Sequence, residues 1–460
     1  MVFEPPCTER YARWCERSTA QIMSSLLLDY MQVQNKVIGI LAKSLLLLLN
    51  KSRRVYEGDE AMLTKSFIEF LYDAAHIQRW NEHIRPSGFT ELDKQAHKMM
   101  IMYVLARHEE DDHGAQLNWR LLIEGGIFEF LQRNVLTDIK PQIFHEMMRV
   151  YGKELNAWVY QELRRRIPDI QEDFMEKMQL YFEDPQYCAM EKKILRAAHY
   201  LATKWEFELI YHFNEGIYGS EDTKAVIENE LEDHYDLAAV KKLALKGKSS
   251  KFIDLVGQLR FQKRWAQSPR VPETSVMGHE LLVAIMGYFC AVKVGACDER
   301  IVGDFLCGLF HDLPEVLTRD IISPVKRSVP GLDELIKRME ERMVAEKILP
   351  LLPYTWHEDI LYYTQNEFSN RVRIDGKVVQ TSIEEISSKY NKPGFHAIDG
   401  SVLKGCDNLS AFVEVWLSRR YGITSKHMEE GERAIREQYK HKIIGGIDFG
   451  RVYDEFPIID

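Results

Sequence analysis

Residues 311–326 read HDLPEVLTRDIISPVK and follow the apolar run 304–310, DFLCGLF. An apolar run at helical spacing that ends on His311-Asp312 delivers an imidazole and a carboxylate together at one helix end. Asp312-Leu313-Pro314-Glu315 also suits the start of a new helix, with Asp312 as N-cap, Pro314 in the first turn and Glu315 reaching back as in a capping box. Working outward, apolar residues recur every three or four positions nearly everywhere, as at Leu282, Ile285, Phe289 and Val292, while sustained alternation is scarce. An all-α protein is expected. The exception is 368–383, where Asp375-Gly376 stands between two β-branched runs and predicts a short hairpin.

The same framework occurs twice. Residues 126–141, GIFEFLQRNVLTDIKP, parallel 308–324, GLFHDLPEVLTRDIISP, once single-residue gaps are allowed. Phe67-Ile68-Glu69 precedes Arg79-Trp80 by the same interval that separates Phe252-Ile253-Asp254 from Arg264-Trp265, and His97 stands as far before Gly126 as His279 does before Gly308. The chemistry differs. Glu129-Phe130 takes the place of His311-Asp312, and His199 in RAAHYLATKWEFEL takes that of Asp407 in KGCDNLSAFVEVWL. The interval from His311 to Asp407 is longer than that from Glu129 to His199, and the extra length holds the expected hairpin. The expected organisation is an N-terminal helical extension (1–65), a first helical domain (66–225), a linker (226–250), a second domain with the ligand-type residues (251–425) and a helical tail (426–460).

With 460 residues, 45% hydrophobic and 28% charged, the chain has the composition of a globular protein of two or three domains. Its net charge of −10 removes the basic field needed for sequence-independent capture of long nucleic acid. Seven scattered cysteines without a CxxC pair point to a reducing compartment. The N-terminus lacks a secretory pattern, and its most hydrophobic stretch, 37–49, is short and broken by Lys43, so a cytoplasmic protein without a membrane span is expected. The leucine-rich part of 1–65 reads as a helix buried between domains or in a homo-oligomer interface, and 428–442 as a solvated helix. GxxxxGK[ST], GxGxxG and GxSxG patterns are missing, which leaves triphosphatase, dinucleotide and serine-hydrolase readings without support.

In the second domain His279 opens one apolar run, His311-Asp312 closes another, and Asp407 opens a third. Two imidazoles and two carboxylates suit one divalent ion (Mn, Fe, Co, Ni, Zn or Mg) with water in the remaining positions, a set that activates water and polarises a phosphoryl oxygen. The pattern H…HD…D resembles the HD-domain metal-dependent phosphohydrolase superfamily. With Arg264-Trp265 placed ahead of His279, and with Glu315 and Asp320 in HDLPEVLTRDIISPVK, it is similar to the bacterial HD-domain 5′-nucleotidases that act on deoxyribonucleoside monophosphates. The resemblance covers roughly 251–421 and, in altered and degenerate form, about 66–215. It implies that His279, His311, Asp312 and Asp407 bind the metal and that Glu315 handles protons. Arg264 would contact phosphate, Asp320 would help hold the nucleotide and serve catalysis, Trp265 would lie against the sugar and disfavour a 2′-hydroxyl, and Lys326 would add positive charge. His97, His108 and His199 are expected to be structural. Two further readings keep part of this picture: a nucleotide-sensing or scaffold protein with little turnover, and a phosphodiesterase acting on cyclic or short oligonucleotides.

Overall fold

The computed structural model describes residues 63–459 except 87, 322 and 327, so nearly all of the leucine-rich extension lies outside the described residues. The described residues are helical apart from two small antiparallel hairpins. Eight helices position the site: α1 (Lys65–Asp73), α2 (Glu91–His113), α3 (Trp119–Leu136) and α4 (Ala189–Asn214) in the N-terminal half, and α5 (Lys248–Gly257), α6 (Val276–Lys293), α7 (Asp298–Phe310) and α8 (Gly400–Arg420) in the C-terminal half. Helix α6 packs on α7 and α8, and α2 packs on α3 and α4. Although α6 is long and apolar enough to cross a membrane, 89% of that window is buried inside the fold. Thr90 and Ser275 cap α2 and α6, their hydroxyls accepting from the amides of Asp93 and Gly278.

Several local features recur in the two halves. An isolated antiparallel bridge joins Gln78 to Thr90, and another joins Lys263 to Ser275 at the same offset from its own half. Left-handed φ values, rare for non-glycine residues, recur at matching places: 59° at Trp80 and 57° at Trp265, then 63° at both Thr137 and Arg319. Gly126 lies against Met99, and Gly308 against Ala284, where a Cβ would fall 2.8 Å from the alanine Cα. The bridges correct the register inferred from intervals: the counterpart of His279 is Lys94, and His97 lies one helical turn further on. The stretch from Lys94 to Gly126 exceeds that from His279 to Gly308 by slightly less than one turn, a difference that interval matching cannot detect. The shared φ at Thr137 and Arg319 likewise removes the gaps allowed between 126–141 and 308–324.

The leading helices bridge the halves, α1 packing on α3 of its own half and also reaching the other. Phe67 on α1 stacks edge-on against Phe289 of α6 at 4.9 Å, and the Tyr72 hydroxyl lies 2.7 Å from Ser410 Oγ on α8. Conversely α5 packs on α2, His97 Nε2 donates to the Ile253 carbonyl at 3.2 Å, and Gly257 leaves room for the ring of Trp205 on α4. Tyr72 and Gly257 are counterparts in the register that the two bridges set.

The predicted hairpin is present: β1 (Arg371–Ile374) pairs with β2 (Lys377–Gln380) around Asp375 and Gly376, both at positive φ. The stretch 226–250 expected as a linker is largely helical, containing Ala238–Ala244 and parts of its neighbours. The tail is interrupted after Lys426–Tyr439 by a second hairpin, β3 (Ile443–Ile444) and β4 (Ile447–Asp448), whose turn is Gly445-Gly446.

Phe67→Ala should lower the unfolding free energy by about 3 kcal/mol, the usual cost of emptying a buried aromatic site. Urea unfolding checks this, and a loss under about 1 kcal/mol would mean that α1 carries little packing weight.

Candidate metal centre

His279 sits in the first turn of α6, His311 caps the C-terminus of α7, and Asp407 lies in the N-terminal half of α8. These sequence-distant residues converge, with one ligand atom from each lying within 4.8 Å of the others. His279 Nε2 is 3.1 Å from Asp407 Oδ1. Asp312 joins them, its Oδ2 lying 3.2 Å from His311 Nε2 and 3.8 Å from His279 Nε2.

The second nitrogen of each ring fixes its orientation. His311 Nδ1 donates to the Gly308 carbonyl at 2.8 Å, which turns its Nε2 toward the carboxylates. His279 Nδ1 is 2.9 Å from Ser410 Oγ, which is held in turn by Tyr72 from the other half. Both Nε2 atoms are buried and lack a hydrogen-bond partner. Two orphaned nitrogens facing carboxylates form a donor set that fits one divalent cation, with outer partners that orient it. The cluster of His279, His311 and Asp407 is therefore a site for a single divalent ion, whose identity the donor set leaves open.

The electrostatics fit that role. Burial resists ionisation of Asp407, but Lys404, whose Nζ lies 2.7 Å away, and His279 hold its carboxyl well below the usual range. Burial opposes Asp312 ionisation as well, and His311, His279 and Arg264 outweigh it. Burial raises Glu315 well above the carboxylate range, with Asp312 and Asp320 adding to the effect. Glu280, next to His279, is fully buried with both oxygens unpartnered, and burial together with Asp312 and Glu315 raises it strongly.

Around this centre stand the other expected residues. Arg264 Nη1 is 3.7 Å from Asp312 Oδ2, and its Nε approaches Glu414 Oε2 at 3.3 Å. Trp265 Nε1 donates to that same Glu414 oxygen at 3.0 Å. Glu315 Oε2 is buried and unpartnered, and Lys326 Nζ lies 3.9 Å from Glu315 Oε1. Asp320 is partly buried and shares the field of Arg264, Asp312 and Lys326. The expected capping box does not form: the short helix Glu315–Thr318 has no side-chain cap, because the Asp312 carboxylate faces the imidazoles instead.

Several contributors escaped sequence reasoning. Glu414 is a fully buried acceptor for Arg264, Trp265 and Thr274, and its counterpart Glu206 accepts from Arg79, Trp80 and Arg260. The signal was present, since each glutamate follows its site residue, Asp407 or His199, at the same interval. Phe368, from the longer segment before Asp407, has its ring 5.7 Å from that of His311. Buried Arg371 holds the adjoining loop through the carbonyls of Asn366, Glu367 and Ser369. Ser410 and Tyr72 carried no sequence signal.

Residues 256–436 match the family model described as HD domain. A 5′-deoxynucleotidase of Photobacterium profundum is 33% identical over 117 residues, covering 24% of this chain and 58% of that protein. One of Vibrio parahaemolyticus is 31% identical over 118 residues, covering 24% and 59%. One of Yersinia pestis is 25% identical over 156 residues, covering 31% and 77%. The chain thus spans less than two thirds of the length of the first two relatives.

Ser410→Ala and Tyr72→Phe remove outer partners of His279 and should each weaken Mn binding by roughly tenfold or more. Calorimetric titration of the metal-stripped full chain reads this, and unchanged affinity in both variants would deny the chain from Tyr72 to His279 any role.

Proposed function

We propose, from the HD-domain match of residues 256–436 and the convergence behind it, that the C-terminal half is a metal-dependent phosphohydrolase acting on nucleoside 5′-monophosphates, deoxyribonucleotides in particular. The observation that carries this reading is the meeting of two orphaned imidazole nitrogens with Asp407 and Asp312 beside a buried guanidinium and an unpartnered carboxyl. His279, His311, Asp312 and Asp407 would hold the ion, which when bound supplies water activation and phosphoryl polarisation. Arg264, fixed on Glu414, offers its remaining donors to the phosphate. Glu315 holds the proton destined for the departing sugar oxygen. Asp320 and Lys326 border the nucleotide, and Trp265, pinned through its indole nitrogen, presents a flat apolar wall that disfavours an unpartnered 2′-hydroxyl. Under this reading the two halves are tandem copies of one domain, the first degenerate at its centre and joined structurally to the second. A cytoplasmic setting and self-association belong to the same proposal, resting on the scattered cysteines and the leucine-rich extension.

The test is phosphate release from a panel of ribo- and deoxyribonucleoside monophosphates with added Mn, Co or Mg. Activity should require the metal, favour the deoxy substrates and fall by roughly a thousandfold or more in Asp312→Ala. Release that is absent throughout, or equal in Asp312→Ala, would refute the assignment.

A further inference from the structure

The N-terminal half repeats the scaffold of the metal centre with different side chains in its middle. At the counterpart offsets set by the bridges, the packed glycines and the shared glutamates, His279 becomes Lys94, His311 and Asp312 become Glu129 and Phe130, Glu315 becomes Arg133, and Asp407 becomes His199. The frame around them is kept: Arg79 and Trp80 stand on Glu206 as Arg264 and Trp265 stand on Glu414. Of these replacements only Glu129 for His311 moves the formal charge downward.

Lys94 Nζ lies 2.6 Å and 3.1 Å from the two ring nitrogens of His199, in the place where His279 meets Asp407 in the other half. The nearby carboxylates are already occupied. Glu129 accepts from Lys98 at 2.9 Å and from the Tyr181 hydroxyl at 2.6 Å, and Arg79 engages Glu91, Asp138 and Glu206. Among the described residues Lys94, Arg133 and Arg196 form no ion pair with a carboxylate, although Lys94 is fully buried; Arg133 lies over the ring of Phe144, 4.0 Å away, in the wider field of Glu91, Glu129 and Asp138. Burial, with Arg79 and Arg133 beside it, drives the Lys94 ammonium well below its ordinary range against the opposing pull of Glu91 and Glu206. A buried ammonium that no carboxylate pairs directly is costly, and an anion held by Lys94 and the partly exposed Arg133 relieves that cost. A cleft of about 640 Å³ opens beside Glu129 and Tyr181, bordered by Lys192, Lys193 and Arg196 of α4 on one side and by Glu230 and Asp233 on the other, with Lys193 paired to Asp236. Lys192, Arg196 and His199 follow at intervals of four and three, so they share one face of that helix and lead from the cleft toward Lys94.

We propose that the N-terminal half binds, without hydrolysing, the phosphate group of a phosphate monoester, with the Lys94 ammonium standing where the other half holds its divalent ion and Arg133 completing the cradle. An ammonium and a guanidinium match a phosphate dianion in charge and donor geometry. With Phe130 at the position of Asp312 and Glu129 occupied by Lys98 and Tyr181, the metal set is lost, and with it the means to activate water. This proposal rests on the tandem reading above and does not depend on turnover in the C-terminal half.

The experiment is calorimetric titration of the full chain with inorganic phosphate in the presence of EDTA, paired with thermal unfolding. The expected result is a saturable, metal-independent site whose affinity falls by roughly tenfold or more in Lys94→Met, with loss of the phosphate-induced rise in Tm. Arg133→Gln, at a partly exposed position, should give the same fall and replaces Lys94→Met if that protein does not fold. Absence of saturable binding to the wild-type chain, or equal affinity in the folded variants, overturns the proposal. Either outcome leaves the hydrolase reading standing, because the titration contains no metal.

Discussion

A carboxylate without exposed surface persists only where donors replace the water it has lost. Glu414 meets that condition with Arg264, Trp265 and Thr274, and although burial resists its ionisation, Arg270 and Arg264 hold its carboxyl at about 2. The consequence is geometric. Glu414 and Asp407 lie two turns apart on α8, so the clamp that anchors the Arg264-Trp265 loop also sets that loop at a fixed distance from the metal-type acid. Glu206 repeats the arrangement with Arg79 and Trp80, and this explains why the frame recurs in both halves while the side chains at the centre do not.

Contacts made by the leading helices across the halves make each half depend on the other. Tyr72, from the N-terminal half, orients Ser410 and through it His279, so part of the outer shell of the centre is supplied from far away along the chain. In return, α5 fills the space beside His97 and Trp205, where Gly257 admits the indole at a distance that any side chain would obstruct. His97 is thereby explained as packing: it is fully buried, and burial together with Arg260 lowers its pKa to about 3, so it stays neutral.

The two centres balance charge in opposite ways. In the C-terminal half, carboxylates at Asp312, Asp407, Glu315 and Glu280 gather round two neutral-capable imidazoles, an environment that a divalent cation completes. In the N-terminal half the cation is built into the chain as Lys94, and the carboxylates are already neutralised by Lys98 and Arg79. Low dielectric makes both arrangements stringent, since an uncompensated charge at either centre would cost several kcal/mol.

Helical periodicity, the Asp375-Gly376 hairpin and the cluster of His279, His311 and Asp407 were legible in the amino-acid sequence, because each is a local pattern or a spacing between residue types with distinctive chemistry. Register between the halves was legible only to within one helical turn: a slip of nearly one turn keeps an apolar helix face apolar, and it hid Lys94 behind His97. The failed capping box at Asp312 shows a second limit, since a side chain with two local options is decided by what the rest of the fold brings near it, here two imidazoles. Which helices bridge the halves, which hydroxyl steadies His279 and which buried cation lacks a paired carboxylate depend on contacts between segments far apart in the chain. Only tertiary structure decides these, because they reflect the packing and desolvation of neighbours that no linear spacing records.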